Sequence, residues 1–199
     1  RNYFFGSPEF DRVNVIIADK SKGYYVAGSS NFQGITKSWL HYFKADQSGT
    51  RPTNLIDQLL AYPSSIIFDS VRLPSGDLIA VGSGLHEKQL ELPKADQKDD
   101  GWAIRITPKG RIIWNRIYRS ESHERFYFVS ELANKTILVG GRSETEKRTG
   151  RSNGVTYIID PETGTYIHRK EWGKNIRRSA FYDSLALPGG GYVLVGWAT

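Results

Sequence analysis

The sequence contains no cysteine, and this absence removes several kinds of chemistry at once. Without thiols the chain can form no disulfide bonds, thiolate metal sites or cysteine nucleophiles, although the cellular compartment stays undecided. Methionine is absent too, even at position 1, so we expect a processed chain, an excised domain or a partly read sequence. No stretch approaches the roughly 18 to 20 uninterrupted apolar residues that a membrane-spanning helix requires, and we expect no membrane insertion.

Sequence signatures of common enzyme classes are missing as well. There is no G-x-S-x-G nucleophile elbow and no G-x-x-x-x-G-K-[ST] phosphate-binding loop. The histidines show no H-x-x-x-H or H-x-H spacing of the kind that indicates a metal site. We therefore expect no cofactor and no metal and name no catalytic residue. The sequence leaves open whether the protein is an enzyme, and it favours a protein without catalytic activity.

The composition describes a globular chain that is rich in turns and uneven in charge. Hydrophobic residues make up 39% of the 199 residues, and they are accompanied by 20 glycines and 8 prolines. Residues 1–104 carry 11 Lys and Arg against 12 Asp and Glu, whereas residues 105–199 carry 16 against 9. The net charge of +6 therefore comes from the second half of the chain. Positive charge concentrated in this way favours acidic partners.

Four segments of the chain share one pattern. They are GYYVAGSS (23–30), GDLIAVGSG (76–84), NKTILVGGRS (134–143) and GGYVLVGWAT (190–199). If Gly28, Gly82, Gly140 and Gly196 mark the common position, the spacings are 54, 58 and 56 residues. A period of this length indicates a repeat of about 56 residues and a repeat architecture.

Short alternating runs precede and follow each marker glycine, and Gly, Pro or Asn turns separate them. Strands of period two, four to a unit, are typical of a propeller blade. We predict an all-β fold, a β-propeller of four-stranded antiparallel blades that forms an incomplete ring. The predicted parts are an outer strand of a preceding blade (1–6), three blades (13–62, 64–119 and 125–173) and the first two strands of a further blade (179–199).

The third unit resembles a known family. It contains LVGGRS, NGVTYIIDPETGTYIHRKEW and RRSAFYDSLALPGGGYVLVG, with a Gly-Gly pair, D-P-x-T-G after a strand and an aromatic residue in the fourth strand. This arrangement resembles a Kelch-type propeller repeat, and DPETG with spaced tryptophans is also similar to blades of pyrroloquinoline-quinone-type propellers. The resemblance implies the propeller fold. The resemblance does not imply a quinone-binding site, because the adjacent cysteine pair found in many such proteins cannot exist here.

Only two strands of the last unit are visible, which is why we expect an incomplete ring. A four-bladed ring closed by residues 1–6 is the alternative, but no third strand lies between the last strand and RNYFFG. Natural proteins avoid exposed strand edges. We therefore expect further blades, from the same or another chain, as partners. Trp39 and Trp102 hold equivalent positions in third strands and are predicted to fill the space between blades.

Positive charges cluster in loops around the third unit. In a propeller the second-to-third-strand loops and the interblade loops open on one face, which is commonly used for recognition. We therefore predict a binding surface formed by Arg142, Lys147, Arg148, Arg151, Lys174, Arg177 and Arg178. The neighbouring loop 85–101 is long and acidic and is predicted to be mobile. The alternative is that these charged loops serve only solubility.

Two aspartates are candidates for the lining of a central channel. Asp69 and Asp183 each lie thirteen residues before a marker glycine, with Asn14 and Phe128 near the same place in the first and third units. Side chains there would face the channel of a propeller and can bind a cation or a substrate. Hydrogen bonding to the backbone of a neighbouring blade is the alternative role.

Three functional hypotheses follow from these observations. The leading one is a non-catalytic protein-interaction or scaffold module that binds a protein partner, with an acidic one favoured, through the loop-bearing face. The second is a carbohydrate-binding protein or hydrolase with a site at the channel mouth, and the third is a structural subunit of a larger assembly. Nucleic acid is disfavoured because the basic loops contain few aromatic residues that could stack on bases. The compartment stays open, with a periplasmic or extracellular one slightly favoured.

Overall fold

A computed structural model of the protein describes residues 10–19, 23–32, 35–44, 53–56, 64–93, 96–146, 150–173 and 176–199. Strands account for 70% of these residues, and the only helix among them, α1 (Glu87–Leu90), has four residues. The prediction of an all-β fold is therefore confirmed. No helix in the described part of the chain is long and apolar enough to cross a membrane.

The described strands form three four-stranded antiparallel sheets and one two-stranded pair, each following the order of the chain. The first sheet contains β1 (Asp11–Asp19), β2 (Gly23–Phe32), β3 (Ile35–Lys44) and β4 (Thr53–Ile56). The second sheet contains β5 (Ser64–Arg72), β6 (Leu78–Leu85), β7 (Asp100–Ile106) and β8 (Ile112–Tyr118). The third sheet contains β9 (His123–Glu131), β10 (Ile137–Glu146), β11 (Arg151–Ile159) and β12 (Tyr166–Trp172). The pair contains β13 (Ser179–Ala186) and β14 (Tyr192–Ala198).

The strands lie where alternation and turn residues predicted them, so four-stranded antiparallel sheets are confirmed. The first predicted blade, residues 13–62, includes β4, but its last residues, 57–62, lie outside the described residues. The outer strand predicted at residues 1–6 lies outside them as well.

Tight turns with at least one left-handed residue join strands at one end of the sheets. The Gly76 N–H donates to Leu73 O over 2.9 Å, and the Leu73 N–H donates to Asp77 O over 2.8 Å. Gly76 has a φ of +92°, which glycine adopts without steric cost. The same two hydrogen bonds recur in the third sheet, where Lys135 takes the left-handed position with a φ of +70°. We name this end the turn end, defined by residues 73–77, 107–111, 132–136, 160–165 and 187–191.

A β-bulge in the first strand of each sheet lies against a glycine of the second strand. In β5 the register skips Phe68, and a Cβ on Gly82 would be 1.7 Å from Ile66 O. The position therefore admits only glycine, which explains the glycine marker in the sequence. The corresponding distances are 1.9 Å from Gly28 to Arg12 O, 2.0 Å from Gly141 to Arg125 O and 2.0 Å from Gly196 to Ala180 O.

The third sheet corrects the alignment of the marker glycines. Gly141 pairs with Phe126, directly before the bulge at Tyr127. Gly141 therefore corresponds to Gly82, and the choice of Gly140 was wrong by one residue. The Gly-Gly pair offers two candidates, and spacing alone does not reveal which of them faces the bulge.

Apolar clusters fill the spaces between successive sheets. Trp102 is fully buried between the first and second sheets, and its indole N–H donates to Asn115 Oδ1 over 2.6 Å. The prediction that Trp102 packs between sheets is therefore confirmed. A second cluster joins the second and third sheets and includes Val81, Ala103, Trp114, Phe126, Val139 and Tyr157.

The DPETG turn of the third sheet docks on the second sheet. Pro161 O accepts hydrogen bonds from Arg105 Nη1 and Trp114 Nε1, each over 2.8 Å. Gly164 O accepts from the Tyr118 hydroxyl over 2.7 Å. The turn that resembles a family signature in the sequence therefore has a structural role, because it joins two neighbouring sheets.

Candidate functional site

The described residues among the predicted basic ones, Arg142, Arg151, Arg177 and Arg178, lie at the end opposite the turn end or in strands that lead to it. Because the strands of each sheet alternate in direction, the connections β6–β7, β8–β9, β10–β11 and β12–β13 all emerge there. We name this end the loop end, and its described residues are 86–93, 96–99, 119–122, 150, 173 and 176–178. The topology therefore gathers the charged connections at one end of the molecule.

Two of the predicted binding residues, Arg151 and Arg177, lie side by side at the loop end. A parallel β-bridge joins Ser152 to Arg178, so the residues directly before them are neighbours. Arg151 and Arg177 are exposed, and neither side chain makes a hydrogen bond or an ion pair with another described residue. Arg178 is exposed too, but its Nε donates to Gly150 O, which fixes its guanidinium against the loop. We name Arg151 and Arg177 the arginine pair.

The remaining predicted basic residues contribute less to the described surface. Arg142 Nη2 lies 3.0 Å from Glu144 Oε2, so its charge is already balanced. The other three predicted residues lie outside the described residues; they are Lys147, Arg148 and Lys174. The structure thus brings together only part of the predicted surface, centred on the arginine pair.

The loop at residues 85–101, predicted to be mobile and acidic, contains defined structure in its described part. His86 precedes α1, and its Nδ1 accepts a hydrogen bond from the Lys88 N–H over 3.3 Å. Arg125 Nε donates to Asp99 Oδ2 over 2.7 Å. Burial works against the charged guanidinium, but Asp99 outweighs it and holds the pKa of Arg125 above its ordinary value. Part of the loop's acidic charge is therefore neutralised within the protein.

Asp69 and Asp183 lie directly after the bulges of β5 and β13, at corresponding places. The Asp69 carboxylate accepts hydrogen bonds from the Val129 N–H and the Ser70 N–H, each over 2.8 Å. Burial raises the pKa of Asp69 to about 6, although these two hydrogen bonds act in the opposite direction, and the charge of Asp183 adds to the rise. Asp183 is exposed and accepts from the Ser184 N–H over 2.7 Å. Asp69 thus makes the sheet-to-sheet backbone hydrogen bond that was the alternative to a channel site.

The bulge positions themselves carry a row of aromatic side chains across successive sheets. The ring of Tyr127 lies 5.2 Å from that of Phe68 and 5.4 Å from that of Tyr182, measured between centroids. Asn14 occupies the bulge of the first sheet, and its side-chain amide donates to Ile67 O over 2.5 Å. Asn14 therefore corresponds to Phe68, one place before Asp69 in the register. We name Phe68, Tyr127 and Tyr182 the aromatic row. Sequence reasoning missed it because the bulge adds a residue that spacing does not show.

A buried charged cluster in the third sheet was also missed. Glu124 is fully buried, and its Oε2 accepts from the Tyr157 hydroxyl over 2.6 Å. Arg169 Nη2 donates to Glu124 Oε1 over 2.7 Å. Burial first, and then the Glu124 charge, raise the pKa of Tyr157 above its ordinary value, so the hydroxyl keeps its proton. Only the fold brings these three residues together, because they are far apart in the sequence.

Comparisons with known proteins concern the fold alone. No family model matches the sequence, and no curated protein matches it. A solved protein of unknown function from Dyadobacter fermentans DSM 18053 is similar, with a TM-score of 0.66 at 13% sequence identity. The match covers 98% of this chain and 64% of that chain, so this chain spans less than two thirds of that protein's length. The resemblance to Kelch-type and quinone-type propellers stays a prediction.

Proposed function

We propose that the sheets are blades of a β-propeller and that the protein is a non-catalytic interaction module that binds an acidic protein partner at its loop end. From the second sheet onward, the first strand of each unit packs against the first three strands of the preceding sheet. Thus β5 contacts β1, β2 and β3, β9 contacts β5, β6 and β7, and β13 contacts β9, β10 and β11. Such a constant relation between successive four-stranded units supports a radial arrangement of blades.

The arginine pair is the observation that carries the binding proposal. The bridge between Ser152 and Arg178 holds the backbones of Arg151 and Arg177 beside each other. Two neighbouring guanidinium groups offer forked donors that match carboxylates in geometry and charge. Carboxylates of a partner would therefore meet two neighbouring arginines whose side chains pair with no other described residue.

Charge reversal of the arginine pair tests this proposal. We expect the double change Arg151→Glu and Arg177→Glu to weaken binding of a poly-glutamate peptide by at least about tenfold, measured by calorimetry. Thermal unfolding should stay unchanged, because both side chains are exposed and neither is bonded to another described residue.

The matched control makes the same charge change at the turn end, where Lys109 and Arg111 are also exposed. The double change Lys109→Glu and Arg111→Glu should leave the affinity within about twofold, allowing for the weaker net charge. Equal losses in both double variants would show that only net charge matters and would reject the arginine pair as the site. Absence of binding by the unchanged protein would reject it too.

A carbohydrate-binding site at the aromatic row is the second candidate function. Tyr182 is 55% exposed, and the exposed Asp183 follows it in the chain. Sugar rings stack on exposed aromatic rings, and carboxylates accept hydrogen bonds from their hydroxyls. If the protein retains a glycan on an array, we expect Tyr182→Ala to abolish that binding and Asp183→Asn to weaken it. A panel of hydrolase substrates then shows whether a bound sugar is also cleaved. A glycan signal that both variants retain excludes this site.

The apolar face of the β13–β14 pair supports a further sheet as a partner. Leu185, Val193 and Val195 on this pair are 64%, 47% and 59% exposed. The register aligns Val195 with Val81 of β6, which is fully buried against the third sheet. We infer that a sheet of the same kind, from this protein or another, covers the face, which accords with a role in a larger assembly.

A further inference from the structure

The geometry points to the groove between β8 and β12 as a binding site for a small organic anion that carries a flat ring. The groove has a volume of about 410 Å³, within the range of pockets that hold small ligands. Outer strands of the second and third sheets form it, so it shares no residue with the arginine pair or the aromatic row. The side chains that define it are Arg116, Tyr118, Arg119, Tyr157, Tyr166 and Arg169.

Arg169 is held in one orientation from behind the groove. Its Nε donates to the Tyr157 hydroxyl over 2.8 Å, and its Nη2 donates to Glu124 Oε1 over 2.7 Å and to Glu171 Oε1 over 2.5 Å. Because Glu124 is fully buried, it anchors the guanidinium from the protein interior. Among the described residues no acceptor contacts Nη1, which leaves this group for a ligand. A cation fixed before the ligand arrives lowers the entropy cost of binding.

Arg116 and Arg119 add two positive charges on the β8 side of the groove. Both are exposed, and the Arg116 Nε donates to Thr163 O over 3.3 Å, which leaves both of its Nη groups. None of the described residues that line the groove is an aspartate or a glutamate. Glu124 and Glu171 balance the charge of Arg169, so Arg116 and Arg119 supply the positive charge that favours an anion. The forked donors of the arginines suit a carboxylate or a phosphate.

Tyrosine rings form the floor and one wall of the groove. Tyr118 and Tyr157 are 5% and 2% exposed, and their hydroxyls are already bonded inside the protein, so they close the floor of the groove without presenting a polar group to a ligand. Tyr166 is 54% exposed and stands perpendicular to Tyr157, with the ring centroids 5.7 Å apart. An added ring can pack beside Tyr166 while its anionic group reaches the arginines. The combination selects ring-bearing anions over simple anions and over neutral rings.

Ligand-observed NMR and calorimetry on the 199-residue protein test the site with named probes. The ring-bearing anions are phenyl phosphate, AMP and benzoate. Their counterparts are inorganic phosphate, which lacks the ring, and adenosine and benzamide, which lack the negative charge. We expect at least one ring-bearing anion to bind about tenfold more tightly than its counterparts. The contrast between phosphate and carboxylate probes then identifies the anionic group. If none of the three anions binds, or if inorganic phosphate binds as tightly, the proposal is overturned.

Variants locate the bound probe. The double change Arg116→Gln and Arg119→Gln should weaken binding of the retained probe by about tenfold or more, and Tyr166→Ala by about fivefold. The matched control, Arg151→Gln with Arg177→Gln, removes the same charge elsewhere and should leave the affinity unchanged. Equal loss in the control overturns the assignment to the groove. Because these side chains are exposed, circular dichroism should show unchanged melting in every variant.

Discussion

The carboxylate of Asp69 in β5 accepts a hydrogen bond of 2.8 Å from the backbone N–H of Val129 in β9, and so joins the first strands of two successive sheets. Polar side chains near the bulges make comparable links at the other two joints. These are the bond from Asn14 Nδ2 to Ile67 O, over 2.5 Å, and the contact between Ser130 Oγ and Ser184 Oγ, over 2.8 Å. Each joint between described sheets therefore combines an apolar contact with a polar link near the bulge.

The burial of Asp69 predicts a dependence of stability on pH. Burial raises the pKa of Asp69 from 3.8 to about 6 in the folded state. A raised carboxyl pKa means that the folded state binds the proton more tightly than the unfolded state does. The stabilisation by this group is therefore full below about pH 3.8 and is lost as the pH rises through about 6, by roughly 3 kcal/mol.

Urea unfolding of the protein and of Asp69→Asn at several pH values checks this prediction. The variant cannot titrate at this position, so its free energy of unfolding should rise relative to that of the unchanged protein between pH 4 and 7. Burial also raises the pKa of Asp100 to about 6, but Asp100 is present in both proteins and cancels in the comparison. Parallel pH curves for the two proteins would contradict the prediction.

The contact between Gly82 and the bulge predicts a large penalty for one added methyl group. A Cβ at Gly82 would be 1.7 Å from Ile66 O, so Gly82→Ala must displace the backbone of β5. We expect a loss of about 3 kcal/mol in the free energy of unfolding, at the upper end for overpacking. Gly189→Ala is the control, because no atom lies within 4 Å of a Cβ there, and it should change stability by less than about 0.5 kcal/mol. Similar melting of both variants would argue against the bulge contact.

Lys135 predicts a stabilising substitution at the turn end. Its φ of +70° places a residue with a Cβ in the left-handed region, which costs about 1 kcal/mol. Lys135→Gly should therefore raise the free energy of unfolding by about 0.5 to 1 kcal/mol. This value is below the full cost of the strain because glycine also increases the conformational entropy of the unfolded chain. The ion pair with Glu131, 3.5 Å long at an exposed lysine, contributes little.

The reciprocal change, Gly76→Lys, provides the control for the turn. Gly76 occupies the same position of the corresponding turn with a φ of +92°, and a Cβ there meets atoms only at 3.5 Å and beyond. Backbone strain without a clash should lower stability by about 1 kcal/mol. If Lys135→Gly destabilised the protein, the left-handed conformation at this turn would be disproved. Chemical denaturation resolves differences of this size.

The sequence predicted the strands well because their signals are local. Alternating apolar residues and Gly, Pro or Asn turns identified the strands of the second and third sheets to within a few residues. Register between strands was harder to read, because the bulge at Tyr127 shifts the pairing by one residue and made Gly140 look like the marker in place of Gly141. An extra residue in one strand leaves no trace in the spacing of turns.

The candidate sites were harder to predict because they depend on contacts between sheets. Arg116 and Arg169 belong to outer strands of different sheets, and nothing in the sequence indicates that they line one groove. Charge clustering did identify Arg151 and Arg177, but it could not show that Arg142 is already paired within the protein. A count of charges gives the sign of a surface, whereas the fold decides which charges remain available.

Two corresponding valines give the last prediction, on the uncovered face of the β13–β14 pair. Val195 is 59% exposed, while Val81, at the same place of the register, is fully buried. Val195→Lys should therefore change the free energy of unfolding by less than about 0.5 kcal/mol, whereas Val81→Lys should abolish folding because it buries an unpaired charge. A double change, Val193→Lys with Val195→Lys, should lower self-association in sedimentation experiments, since it removes exposed apolar surface. Strong destabilisation by Val195→Lys would instead mean that this face is already covered within the chain, and the proposal of a further sheet would fall.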